Sequence, residues 1–426
     1  MENTGQSIRV FIGKVFFLFF CLSQPVLPAE EILTWEDCVL EAKQHHPDLL
    51  SAAEQCKEAK LDVDSAESGL YPQVNTSLSV SNGRSSGQSS QTSYSAGVSG
   101  SQLVYDGNKT KNEREKSFAG YTYQRAQYDV ISSQIRLRLR SAFVQFLQAV
   151  EWIAMTKEIT RRRKQNLELV QLRYEAGREH KGSLLSAKAS LEQSEYEYRQ
   201  ALRNARIVQL RLSAEMGRPL NQSIQIKEDD GIYPEYKDQP DFEGLLEKIP
   251  LMRAWLAQKE AARLGVQLKQ ANYKPKVSAS VSASMRDTDW PIEENQWSAG
   301  LQVSYSLFDG GARKANLEKA RSQLTRVDED IRSERNTLLV KLEDSWASLK
   351  DAVENVLVQN QFLEAAKERA EITQAQYSNG LVSFDNWTLI EDDWVRTKKA
   401  CLNARTQALL SEAAWIEATG GTLDEI

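Results

Sequence analysis

Histidine is scarce in this sequence, with three among 426 residues, and cysteine and methionine are nearly as rare, at four and five. Imidazole is the side chain best suited to proton transfer near neutral pH, so an acid–base enzyme would have little to work with. There is no Gly-rich phosphate loop, nucleophile elbow or paired Cys–His metal spacing. The chain therefore reads as a non-enzyme, without catalytic residues, cofactor or metal. Positive charge is also short: 53 Lys plus Arg stand against 59 Asp plus Glu, for a formal net charge of −6. A nucleic-acid binder needs a basic surface to neutralise phosphates, which sets that class of partner aside. No apolar run reaches the roughly 20 residues of a membrane-spanning helix. Proline is missing between Pro72 and Pro219 and again after Pro291, leaving two long stretches with nothing to interrupt a helix.

At the N-terminus Arg9 and Lys14 precede a short apolar run from Val15 to Leu22, and Pro28-Ala29 ends on a small residue. This is the layout of a cleaved signal peptide over residues 1–29. Lipid attachment at Cys21 is the competing reading, opposed by bulky Phe19 and Phe20 just before it. The exported chain is then periplasmic, secreted, or an outer-membrane protein of β type.

Internal repetition organises the rest. Pro47 and Pro250 lie 203 residues apart, as do Pro72 and Pro275, Asp106 and Asp309, Tyr174 and Tyr377, Gly177 and Gly380, and Gly217 and Gly420. The chain is thus a tandem duplication, with residues 30–218 as one structural repeat and 241–426 as the second. A polar linker, 219–240, with Pro219, Pro234 and Pro240, joins them.

Each repeat changes its hydrophobic period in the same order. Val74, Thr76, Leu78 and Val80 alternate with polar residues, a period of two that predicts a strand near 72–82, and Tyr94, Ala96 and Val98 predict another near 93–105. In the second repeat, Val277, Ala279, Val281, Ala283 and Met285 mark a strand near 275–285. Trp297, Ala299, Leu301, Val303, Tyr305 and Leu307 mark one near 296–308. Long helices are predicted near 108–176 and 311–379, each able to reach about 100 Å at 1.5 Å per residue. In the second, Leu324, Val327, Ile331, Leu338, Leu342, Leu349, Val353, Val356 and Leu363 fall at coiled-coil spacing. Gly177 and Gly380 break these helices. Return helices are predicted near 184–216 and 387–419, stopped by Gly217 and Gly420.

Four strands with one apolar and one serine-lined face leave two unpaired edges. If the apolar side meets lipid the edges must close, and a bacterial barrel needs at least eight strands, so three chains supplying twelve would suffice where one cannot. Strands of about ten residues, tilted by about 45°, cover the hydrocarbon layer. Tyr71, Tyr105, Tyr273 and Phe308 at one end, and Tyr94, Trp290 and Trp297 at the other, read as aromatic girdles at the lipid interfaces. The serine and glycine face would line a wet lumen.

At this point the chain resembles the TolC family of outer-membrane efflux proteins. The motifs that carry the likeness are Leu33-Thr34-Trp35-Glu36-Asp37, Leu70-Tyr71-Pro72-Gln73-Val74 and Leu103-Val104-Tyr105-Asp106-Gly107. Their second-repeat counterparts are Tyr273-Lys274-Pro275-Lys276-Val277 and Ser306-Leu307-Phe308-Asp309-Gly310. Arg173-Tyr174-Glu175-Ala176-Gly177 and Gln376-Tyr377-Ser378-Asn379-Gly380 fit the helix turns. The resemblance implies a mainly α fold with a small β part: a homotrimer whose coiled-coil helices form an α-barrel, continued by a 12-stranded transmembrane β-barrel. It further implies a passive exit duct of a tripartite efflux pump or type I secretion system. The duct would sit in the outer membrane of a Gram-negative bacterium, surrounded by its lipid, and extend into the periplasm. A periplasmic adaptor and an inner-membrane pump would be its partners, with the entrance at the turns holding Tyr174, Gly177, His180, Tyr377 and Gly380. Where family members often carry an acidic residue six positions after the turn glycine, this chain has Ser183 and Asn386, with Asp385 beside the latter.

Other residues read more plainly. His45-His46 before Pro47 are structural, and His180 is an exposed turn residue or a pH-sensitive contact. Glu391, Asp392 and Asp393 form a solvated helix face, and Arg161, Arg162, Arg163 and Lys164 a surface basic run. Cys38 and Cys56, on consecutive helices around Pro47, could pair in an oxidising compartment. A coiled-coil stalk of adhesin type is the alternative function, sharing the heptads and the signal but not the need for hairpins with aromatic rims.

Overall fold

The computed structural model describes residues 32–84, 87, 90–220, 224–227, 239–288, 290–291 and 293–425. The signal segment with Cys21, and most of the 219–240 linker, lie outside the described residues. The first repeat holds β1 (Ile32–Leu33), α1 (Trp35–His45), α2 (Pro47–Ser68), β2 (Gln73–Gly83), β3 (Gln91–Tyr105), α3 (Lys109–Glu175) and α4 (Lys181–Met216). Then follow β4 (Gln225–Ile226), α5 (Phe242–Leu246), α6 (Pro250–Ala271), β5 (Lys276–Asp287), β6 (Asn295–Ser304), α7 (Ala312–Ser378) and α8 (Phe384–Ala418). The architecture is mainly helical and twofold repeated; among the described residues the strands form one four-stranded sheet and one two-stranded pair.

Local chemistry explains the boundaries. Thr34 and Asp37 form a capping box at the start of α1, satisfying N–H groups that a helix start leaves free. Pro47 occupies the first position of α2, where its missing N–H costs nothing. His46 caps that helix, its Nδ1 accepting from the Asp48 N–H at 3.2 Å. The two 67-residue helices begin alike: the Asp106 carboxylate accepts from the Lys109 and Thr110 amides, and Asp309 accepts from Gly311 and Arg313. α3 and α7 end where Gly177 and Gly380 adopt φ of 71° and 78°. There the next amides, of Arg178 and Leu381, reach back to the carbonyls of Arg173 and Gln376. The return helices start three residues earlier than their apolar pattern indicated, because His180 and Ser383 cap them from polar turns.

The large sheet has strand order β2-β3-β5-β6, antiparallel throughout. A parallel pair, β1 with β4, binds the start of the described chain to the inter-repeat segment. Close to the sheet the helices lie in the order α2-α3-α6-α7; farther along α3 the order becomes α4-α3-α8-α7. The core follows these seams. One cluster packs Cys38, Leu139, Phe143, Leu212, Met216 and Leu423 around the first-repeat helices, and another packs Leu338, Leu342, Trp346, Leu349 and Trp415 in the second.

Two sequence readings are corrected here. Cys38 and Cys56 do not pair: both thiols are free. Cys38 is buried in the core, where desolvation pushes its thiol up to about 12, while Cys56 faces the Gln124 carbonyl of α3 at 3.4 Å. Nor is the acidic and basic face on α8 and α3 simply solvated. Glu391 is 1% exposed and receives Arg162 in a two-point pair at 2.8 and 2.6 Å, with the guanidinium 4.4 Å from the Trp394 ring centroid. Arg163 pairs with Asp392 beside it. A charge taken out of water needs such a partner, and here each partner lies on a helix of the other repeat.

Candidate functional site

The sheet sorts its residues by face. Across the four strands, Thr76 pairs with Val98, Val98 with Ala283 and Ala283 with Trp297; one row away run Val74, Gly100, Val281 and Ala299. The opposite face carries Ser79 and Ser95, Ser81 and Ser93, and Ser282 and Ser298, each pair sharing a hydroxyl hydrogen bond of 2.7–2.8 Å. The apolar face is bare within the chain: Leu78, Trp297 and Leu301 are 84%, 78% and 75% exposed. A surface this apolar and this uncovered requires a partner other than water.

Aromatic residues sit at its two ends. Tyr71, Tyr105, Tyr273 and Phe308 are exposed at the helix-proximal end. At the far end Trp290 and Trp297 are exposed, Tyr94 is half-buried, and the Tyr94 and Trp290 rings meet edge-on at 6.0 Å. The register of β3 shifts between Leu103 and Tyr105, so that Tyr105 pairs with Val277 of the apolar row. Strict alternation would have put Tyr105 with the serines. The extra residue at Val104 turns it to the other face, the re-aiming that a bulge produces.

At the opposite end of the helices lie the two turns. They are unequal although their motifs match. Tyr174 is 39% exposed, whereas its counterpart Tyr377 is fully buried, stacked on Trp387 at 4.2 Å with Phe384 edge-on at 6.3 Å. In the first repeat those two positions hold Leu184 and Lys181, so no aromatic nest forms there. The Tyr377 hydroxyl donates to Glu179 at 2.9 Å, and Arg173 donates to the Tyr377 carbonyl at 2.8 Å while its guanidinium lies over the ring. Glu179 also accepts from the Ser183 hydroxyl and the His180 amide.

Burial alone would raise the Glu179 carboxyl, but the bonds from Ser183, Tyr377 and His180 outweigh it and hold it below its ordinary range. The Tyr377 phenol moves the other way, pushed up by burial and by the adjoining carboxylate. Ser183 is buried, occupied in this network, while Asp385 and Asn386 stay exposed at the start of α8. His180 is largely exposed; its Nδ1 accepts the Ser183 amide and so starts α4. Motif reading found Tyr377 and Gly380 but missed Glu179, whose role depends on a residue in the other repeat, and the Phe384–Trp387 nest. Among the described residues no metal-ligating cluster occurs, and no helix is long and apolar enough to cross a membrane.

The family model described as outer membrane efflux protein matches residues 39–218 and 243–421. The probable outer membrane lipoprotein SilC of Salmonella typhimurium is 23% identical over 401 residues, covering 89% of this chain and 84% of that protein. The outer membrane protein VceC from Vibrio cholerae superposes with a TM-score of 0.78 at 18% identity, over 91% of this chain and 96% of that one. The open-state MtrE outer membrane channel of Neisseria gonorrhoeae gives 0.79 at 16% identity, over 92% and 89%.

Proposed function

Given that this chain belongs to the outer membrane efflux protein family, we propose that it is the exit duct of a tripartite efflux pump or a type I secretion system. It is an outer-membrane efflux channel and not an enzyme. In the fuller reading, three chains enclose one pore, the helices extend into the periplasm, and a periplasmic adaptor and an inner-membrane pump supply the energy. Substrate crosses without chemistry on this chain.

The observation that carries the reading is the pair of open edges. β2 and β6 end the sheet on opposite sides, the first from repeat one and the second from repeat two. The same division holds for α2 and α7 near the sheet and for α4 and α7 beyond it. Head-to-tail joining of identical chains would cover a first-repeat edge with a second-repeat edge at every level and close a ring. β6 against a neighbour's β2 would also continue the antiparallel alternation. The helix edges carry matching apolar stripes. Leu185, Tyr196 and Ile207 recur every 11 residues on α4, and Val340, Val358, Phe362 and Ile372 share one face of α7; all are exposed in the single chain. Three chains give twelve strands, enough for a barrel where four are too few. A coiled-coil stalk, the other reading of the sequence, has no use for a sheet with one bare apolar face between aromatic rims.

The two turns would then form the periplasmic entrance, opened by an iris-like untwisting of the helices behind Gly177 and Gly380. Packed helices offer discrete arrangements that a docking partner can bias. Cysteines placed beside Gly177 and Gly380 and crosslinked should abolish export while trimers persist. Full export by crosslinked protein would reject the iris.

A further inference from the structure

Beside the aromatic nest, α3, α4 and α8 meet around a void of about 10 Å3, roughly the space that one water centre needs. Two of the side chains lining it carry a buried polar atom with no hydrogen-bond partner among the described residues: Asn166 Oδ1 on α3 and Trp387 Nε1 on α8. Asn166 is 6% exposed and Trp387 1%, and a polar group buried this deeply is costly to leave unbonded. Neither side chain is free to turn away. The indole is stacked on Tyr377 at 4.2 Å. The Asn166 amide nitrogen donates to Glu391 at 3.5 Å, and reversing the amide would set its carbonyl against that carboxylate. The hydroxyl residues Ser190 of α4 and Thr388 of α8 also border the void. Ala187, on its α4 side, stands about 200° around that helix from Leu185 at about 100° per residue. The void therefore lies behind the exposed stripe of α4 and not on it.

We propose that one ordered water binds here, accepting from the Trp387 indole and donating to the Asn166 carbonyl. An indole N–H can only donate and an amide oxygen can only accept, so the occupant must do both at once. A cation could meet Asn166 but would face the indole hydrogen. An anion could meet the indole but would face the Asn166 oxygen, with buried Glu391 one turn along α8. A larger polar molecule does not fit the volume. Ser190 and Thr388 offer the third and fourth partners that a buried water commonly has. Through this water the nest around Tyr377 is joined to the Arg162–Glu391 pair, which Asn166 touches, and α3 of the first repeat is bonded to α8 of the second. The site follows from local packing and does not depend on conduction through a pore.

The test is a crystal structure of the detergent-solubilised full chain at a resolution that shows ordered water elsewhere in the interior. One density peak is expected at about 2.7–3.2 Å from both Asn166 Oδ1 and Trp387 Nε1. Ser190→Val, which adds apolar bulk beside the void, gives a second reading by its sign. Where a water is displaced and two buried polar groups are stranded, the folding equilibrium constant from denaturant unfolding should fall about tenfold. Where the void is dry, the same methyl groups should fill it and raise that constant. No density touching both atoms, a direct bond between Asn166 and Trp387, or a gain in stability on Ser190→Val overturns the proposal.

Discussion

The phenol of Tyr377 donates a 2.9 Å hydrogen bond to Glu179, joining the turn of the second repeat to that of the first across 198 positions of sequence. Arg173 reinforces the link through the Tyr377 carbonyl. The clasp ties the two helical hairpins together where the proposed iris must part them.

Tyr377→Phe keeps the stack on Trp387 and removes the bond to a carboxylate, an interaction type worth about 1.5–3 kcal/mol. If the clasp holds the closed state, the closed-to-open ratio should fall by about tenfold or more. Planar-bilayer recordings should then show higher basal conductance from rings of unchanged mass.

Acidity should act on the same contact with a defined sign. Because Glu179 is held below its ordinary value of 4.5, its contribution is complete above that pH and lost as pH falls through the lowered folded value. Conductance of the unaltered channel should be flat from neutrality down to 4.5 and rise only below it. Glu179→Gln should abolish this acid limb.

The Arg162–Glu391 pair is expected to show the asymmetry of buried charges. Arg162→Met strands a carboxylate that is 1% exposed, at a cost of about 3–5 kcal/mol. Adding Glu391→Leu should recover most of that loss. Denaturant unfolding of the two variants beside the unaltered protein measures the difference.

The two faces of the sheet should respond oppositely to charge. Leu301→Arg on the bare apolar face should cost about 2–4 kcal/mol in the membrane and lower the amount of inserted protein. Ser282→Arg on the hydroxyl-lined face should insert normally and reduce cation conductance.

The long-range design of the fold was legible in the sequence because it rests on periods. The 203-residue repeat, the alternation from Val277 to Met285 and the proline-free stretches each reflect a rule that acts locally. What escaped was set by partners distant in sequence. Glu391 looks solvated until Arg162, 229 positions away, is placed against it. β1 and β4 are two residues each, too short to show any period. Tyr174 and Tyr377 share a motif yet differ in burial, because the residues that build the nest, Phe384 and Trp387, have no aromatic counterparts in the first repeat. The bulge at Val104 is likewise invisible to strict alternation, although it decides which face Tyr105 joins.

The central claim is that the open edges β2 and β6 are closed by other copies of the same chain. Native mass spectrometry of the detergent-extracted protein tests it most directly. Particles of three chains, with no stable single chain in detergent-free buffer, are the expected result. A monodisperse single chain, soluble without detergent, would contradict it.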